Sequence, residues 1–261
     1  MDIATVMGII VFMGLAVTAI FIQEGWGGFK PFLNLEALLL IAGGTFCSTL
    51  VNYPLKDIVG LGKILRKVLL SSGEDTSNIV EIFVALSQKA KKEGFLALQS
   101  DVTGLKDDFM RRGIQLVIDG ADQEFIHSML ETEIGFIRER HKGGQEIFNA
   151  MGTYAPAFGI IGTILAMILM LSSIEDVSAV PRRMALALAS AFYGLTAGYL
   201  VFLPMGGKLR RRSEEELLVK EIVIRGVLLL QSNATPSVVE ANLKAYLEPA
   251  KRISLKGIAG A

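Results

Sequence analysis

The sequence has a single cysteine, two histidines and one tryptophan. One cysteine cannot make a disulfide within the chain, and Cys47, inside an apolar run, reads as a small apolar residue. His127 and His141 have no companions at metal-ligand spacing. The 26 Lys and Arg are matched by 26 Asp and Glu, so charge gives no reason to expect a nucleic-acid partner. No phosphate loop, GxSxG elbow, internal repeat or metal-ligand cluster occurs. These absences argue against an ordinary enzyme, and neither a cofactor nor a resident metal is expected.

Charge is also missing locally. The chain is 51% hydrophobic with mean hydropathy +0.48, yet 20% of it is charged. That mixture fits an integral membrane protein with a substantial wet part. Four uncharged runs carry the apolar content: Ile3–Gln23, Ala37–Leu55, Ile147–Ile174 and Met184–Gly207. Each reaches the roughly 20 residues needed to span a bilayer as a helix. The first begins almost at Met1 without a basic n-region, so it reads as an uncleaved anchor. Of the 26 Lys and Arg, all but Lys30, Arg182 and Arg183 lie between runs two and three or after run four. The positive-inside rule then puts the middle segment and both termini in the cytoplasm of a multi-pass protein, with Arg182 and Arg183 a mild violation. Trp26, Phe29 and Phe32 would sit at the outer interface.

The expected fold is an all-α integral membrane protein. Residues 1–55 hold spans one and two with a short outer loop. Residues 56–146 form a helical cytoplasmic domain, residues 147–207 hold spans three and four, and residues 208–261 form a basic, amphipathic helical tail. In the middle segment Ile58, Leu61, Ile64, Leu65 and Val68 recur at helix spacing. A linker at Ser71–Ser77 follows, then a helix carrying Ile79, Ile82, Phe83, Leu86 and Ala90 that Gly94 ends. The short FLALQSDV stretch precedes helices over Asp107–Ile118 and Gln123–Arg140. In the tail a basic cluster starts at Lys208, a helix covers Glu214–Leu230, and Thr235-Pro236 opens a last helix through Leu247. The small residues Ala42-Gly43-Gly44-Thr45 of run two read as packing.

Runs three and four carry hydroxyls, small residues and prolines that lipid alone does not require. On a regular helix Pro156, Gly159, Thr163 and Met167 share one stripe. On the other, Ser190, Gly194, Val201 and Pro204 share a stripe, and Gly194 with Gly198 forms a GxxxG pair. Thr163 and Ser190 fall at similar depth. Pro156 removes a backbone donor and frees a carbonyl near Gly152, which needs a partner. Two readings stand: hydroxyls and glycines that cement helix packing, or one wall of a polar path. Residue types alone favour packing. No Asp, Glu, Lys, Arg or His lies within any run, although ion-coupled transport usually needs an intramembrane ionisable group. The chain therefore either moves no ions or borrows a carboxylate from another chain.

At YAPAFGIIGTILAMILML and ALALASAFYGLTAGYLVFLPMGGKL the sequence strongly resembles the MotA/PomA family of flagellar stator subunits, over nearly the whole chain. ExbB and TolQ share the PAxGxxGT theme but are typically three-helix proteins, and an ExbB/TolQ-like energising unit is the alternative. The resemblance implies a ring, a pentamer, around a peptidoglycan-anchored MotB-type partner whose membrane aspartate supplies the missing carboxylate. Ion flow would then turn the ring against the rotor protein FliG at the bacterial inner membrane. On this resemblance Pro156, Thr163, Ser190, Ala191 and Pro204 line the ion pathway, and Gly159, Gly162, Gly194 and Gly198 pack the helices. The family's rotor-contact motif has a base three residues before a glycine and an acid five after it. Lys91 keeps the base, but Gln99 stands at the acid, so Lys92, Glu93, Glu131 and Glu133 are expected to share the contact. Ser190-Ala191 replaces the two adjacent threonines of sodium-type relatives, which points to H+ rather than Na+.

Overall fold

The computed structural model describes residues 3–70, 76–105, 107–172 and 174–247. Helices are α1 (Ile3–Glu24), α2 (Leu35–Asn52), α3 (Leu55–Leu70), α4 (Thr76–Glu93), the single turn α5 (Gln99–Val102), α6 (Asp108–Ile118), α7 (Gln123–Leu171), α8 (Val180–Leu195), α9 (Leu203–Gln231) and α10 (Pro236–Lys244). 3-10 turns cover Gly25–Phe32 and Phe95–Leu98, and a π segment covers Thr196–Phe202. No strand occurs among the described residues. Four helices are long and apolar enough to cross a membrane, so the chain is an all-α integral membrane protein. Most of the expected Ser71–Ser77 linker, the side chains of Ile64, Leu65 and Val68, and the tail beyond Leu247 lie outside the described residues.

Two expected helices are longer than the sequence pattern indicated. The helix expected over Gln123–Arg140 and the third run are one 49-residue helix, α7. Gly143 and Gly144 between them cost helix propensity, about 1 kcal/mol each, but no proline intervenes and the helix continues. Likewise α8, the π segment and α9 follow one another without a break from Val180 to Gln231. The last helix is shorter than expected: α10 stops at Lys244, and tight turns carry the chain to buried Leu247.

The chain divides into two compact units, 1–72 with 141–211, and 73–140 with 212–261. In the first, α1 is apolar all round and largely exposed from Met7 on, with Ile10 63% and Ile22 77% exposed; such a helix faces lipid or another chain. By contrast α2 buries a stripe of Ala37, Ile41, Thr45 and Thr49. Asn34 caps it, its Oδ1 accepting from the Ala37 N–H at 3.0 Å. Tyr193 of α8 ties this end down: its hydroxyl donates to the Phe32 carbonyl and accepts from the Asn34 N–H. Phe32 also meets Phe192 edge-on at 5.7 Å, and Arg182 pairs with Glu36 at 2.8 Å. At the other end of α2, Pro54 follows the Tyr53 cap and α3 begins.

The second unit has one hydrophobic core, centred on Phe83, Leu98, Ile114, Ile126, Leu130 and Ile222. Gly226 and Gly113 permit close approach: a Cβ at Gly226 would lie 2.6 Å from the Phe83 ring, and one at Gly113 2.9 Å from Val227. Gly94 (φ 82°) ends α4 in the left-handed region, as its C-cap position requires. Asp107 caps α6, accepting from the Phe109 and Met110 N–H groups at 2.7 and 3.0 Å. It also takes a 2.6 Å bond from Lys220 Nζ, which lies 5.1 Å from the Phe109 ring centroid. Burial acts to raise the Asp107 pKa, but these hydrogen bonds and the Lys220 charge outweigh it and hold the carboxyl below its usual range.

Candidate functional site

Of the expected pathway residues, Thr163, Ser190 and Ala191 lie where α7 and α8 approach backbone to backbone. A Cβ on Gly194 would lie 2.6 Å from the Ala155 carbonyl oxygen and 2.8 Å from Gly159 Cα. One on Gly159 would lie 3.0 Å from the Ser190 carbonyl oxygen. Only residues without side chains permit this contact, the usual reason for small residues between helices in lipid. Gly162 extends the same seam: a Cβ there would lie 2.7 Å from Ser190 Oγ and 2.9 Å from Leu40 of α2. Helix α2 closes the group through Gly44, which abuts the Phe158 ring. Gly43 faces open space, so only part of the small patch in run two packs.

Thr163 and Ser190 lie along the same seam, Thr163 against Ala187 and Ser190 against Gly162, but differ chemically. Thr163 is half-buried, with Oγ1 3.0 Å from the Gly159 carbonyl and 3.1 Å from the Ala187 carbonyl of α8. Its one proton is therefore used within the chain. Ser190 is fully buried, and its Oγ has no hydrogen-bond partner among the described residues; Thr45 Oγ1 is in the same position. A buried hydroxyl without a partner loses about 1–3 kcal/mol of hydration, so such an atom marks a place where a polar species is accommodated or a cost is carried. Ala191 is half-buried, its Cα near Gly159.

Pro156 is half-buried inside α7. Its ring packs on Gly198, where a Cβ would lie 2.7 Å from Pro156 Cγ and 2.8 Å from the Gly152 oxygen. The carbonyl freed by the proline thus faces the Gly198 backbone, with no side chain between them. Gly198, expected only as half of a GxxxG pair, is the residue on which both features meet. Pro204 is exposed and Val201 is 37% exposed, so neither continues the Ser190–Gly194 stripe. The sequence pattern assumed 3.6 residues per turn throughout. Along the π segment, where Leu203 N–H donates to the Gly198 carbonyl, the phase slips. From its last residue on, Phe202, Met205 and Leu209 pack with Ile147 and Phe148 instead.

The expected rotor-contact residues sit on several elements of the second unit. Lys91, Lys92 and Glu93 are exposed at the end of α4. Gln99 donates from Nε2 to Gln115 at 3.2 Å. Glu131 is exposed, 4.0 Å from His127 on its own helix, and Glu133 is bridged by Arg112 of α6. Asp101, which the sequence reading passed over, pairs with Lys89 at 2.8 Å. Tyr193, also passed over, is the polar anchor of α8; a tyrosine hydroxyl inside a charge-free run was the available signal. No metal-ligand cluster occurs among the described residues.

Residues 101–222 match the MotA/TolQ/ExbB proton channel family. Over its full length the chain is 33% identical to Motility protein A of Borreliella burgdorferi, covering 99% of that protein. It is 32% identical to Chemotaxis protein PomA of Vibrio alginolyticus, over 97% of this chain and 98% of that one. Its structure superposes on a chain of the flagellar MotAB stator complex from Bacillus subtilis with a TM-score of 0.87 at 28% identity, covering 96% of this chain and 98% of that one.

Proposed function

The chain belongs to the MotA/PomA family of flagellar stator subunits, and from that premise we propose how its residues take part in converting ion-motive force into torque. The stator unit pairs this chain with a MotB-type partner. The observation that carries the reading is the seam between α7 and α8. The runs that form it, Ile147–Ile174 and Met184–Gly207, carry no Asp, Glu, Lys, Arg or His, yet they hold a buried Ser190 hydroxyl without a partner among the described residues and a proline-freed Gly152 carbonyl that faces Gly198. Ions cross beside this seam on a carboxylate supplied by the partner. Ser190, Ala191 and Thr163 set the polarity of the path, Pro156 holds the Gly152 carbonyl open, and Pro204 shapes the far end of the fourth span.

Protons are the conducted ion: Ala191 lacks the second hydroxyl that a sodium ion, which prefers oxygen ligands, would use. The chain lies in the inner membrane with its termini and middle domain cytoplasmic, following its Lys and Arg distribution. Five copies surround the peptidoglycan-anchored partner, and exposed α1 is available to lipid or a neighbouring copy. Lys91, Lys92, Glu93, Gln99, Glu131 and Glu133 face the rotor protein FliG. The test is swimming of cells that depend on this stator. Pro156→Ala, expressed normally, abolishes motility, and wild-type speed does not follow sodium concentration. Full motility of the variant removes the proline role, and steep sodium dependence removes the proton reading.

A further inference from the structure

We propose that the π segment Thr196–Phe202 is a one-residue register switch in the fourth span, which sets the face that the chain beyond it turns toward α7. A strict α-helix would put Val201 and Pro204 on the face of Ser190 and Gly194. The structure instead buries Gly206 and Leu209 and leaves Val201 and Pro204 outside. The phase has slipped by one residue, and the slip is confined to the π turns, where Leu203 N–H reaches back five residues to Gly198.

The cause lies at Pro204. It offers no N–H to the Leu200 carbonyl, and its ring crowds that carbonyl; a wider turn just before it relieves both. The segment can change register because it is built to slide. Gly198 at its centre meets Pro156 and the Gly152 carbonyl without a Cβ to key it. Converting the π turns to α would rotate α9, which runs unbroken from Leu203 to Gln231, by about 100° about its own axis. Val201 would then take the place of Phe202, and Pro204 that of Met205. Both exchanges keep apolar groups on the buried face. Lys208 replacing Leu209 and the unmet Leu200 carbonyl make the α register the less stable one. Meanwhile the Ser190–Gly162 contact, on the other side of the segment, stays in place. Localised π turns are frequent at functional sites in helices. The inference rests on the ion-path reading for what drives the switch, not for the switch itself.

The test uses the full chain with its partner in inverted membrane vesicles, in a Cys47→Ser background. Met151 and Phe202 pack against the same cluster, so Met151→Cys with Phe202→Cys reports the π register. Met151→Cys with Val201→Cys reports the α register, and Met151→Cys with Tyr199→Cys gives the background. Disulfide yield is measured with the vesicles energised and after an uncoupler. The Phe202 pair is expected to cross-link in both conditions, and the Val201 pair to rise several-fold above background when the vesicles are energised. A Val201 yield at background in both conditions overturns the switch. Ion flux in the same vesicles reports the ion-path reading separately: a Val201 pair above background without any flux overturns that reading and leaves the switch standing.

Discussion

Replacing Gly194 with alanine perturbs the seam at its closest point. The added methyl would lie 2.6 Å from the Ala155 carbonyl oxygen and 2.8 Å from Gly159 Cα. Both are backbone atoms that cannot turn aside. An ordinary carbon–oxygen contact is about 3.4 Å, so α7 and α8 must part by close to 0.8 Å there. A radial gap of that size forfeits about a quarter to a half of the dispersion well along the interface. It also stretches the 3.1 Å bond from Thr163 to the Ala187 carbonyl beyond hydrogen-bonding range. Overpacking costs about 1–3 kcal/mol, and the lost bond adds about 1 kcal/mol. The expected loss is therefore about 2–4 kcal/mol, read as a lower thermal midpoint of the detergent-purified protein. Gly43→Ala is the control, because a Cβ there meets nothing within 4 Å. Equal midpoints for the two variants would refute the backbone-contact reasoning.

Further outcomes follow from other contacts. Ser190→Ala removes a buried hydroxyl that has no partner among the described residues, so the purified chain should be as stable as wild type or more so, while ion flux with the partner falls; a large loss of stability would show that the hydroxyl is bonded after all. Tyr193→Phe removes the hydroxyl shared with Phe32 and Asn34, at about 1–3 kcal/mol, and hydrogen exchange at the Asn34 amide should speed up; unchanged exchange contradicts the anchor. Asp107→Ala loses a helix cap and strands Lys220, whose side chain is 12% exposed, for about 3–4 kcal/mol. Because the Asp107 carboxyl is held below its usual range, its contribution is complete above about pH 4, the unfolded value, and disappears as pH falls through the lower folded value. Wild-type stability should therefore drop across that acidic window more steeply than that of the variant.

Much of this was legible in the sequence because lipid imposes simple rules. Charge-free runs of spanning length locate the four spans, and Gly94, Asp107 and Pro236 mark helix ends by local chemistry that tertiary contacts do not override. The Thr163–Ser190 neighbourhood follows from depth alone. What was hidden depends on departures from the regular helix or on distant partners. The π turns moved Val201 and Pro204 off the expected stripe, and no propensity scale signals a one-residue phase slip. The helix expected to end at Arg140 does not end there, because α7 runs on through Gly143 and Gly144 into the third span. Nothing in the spacing of Arg112 and Glu133, or of Asp107 and Lys220, foretells that they meet; only the packed core brings them together.

In the proposed stator unit this chain builds an ion path whose carboxylate comes from another chain. Proton flux into vesicles carrying the chain with its MotB-type partner tests it directly. Flux should appear only when both are present and vanish when the membrane aspartate proposed for the partner is changed to asparagine. Flux from this chain alone, or flux that survives the asparagine change, would show that the path does not depend on a borrowed carboxylate.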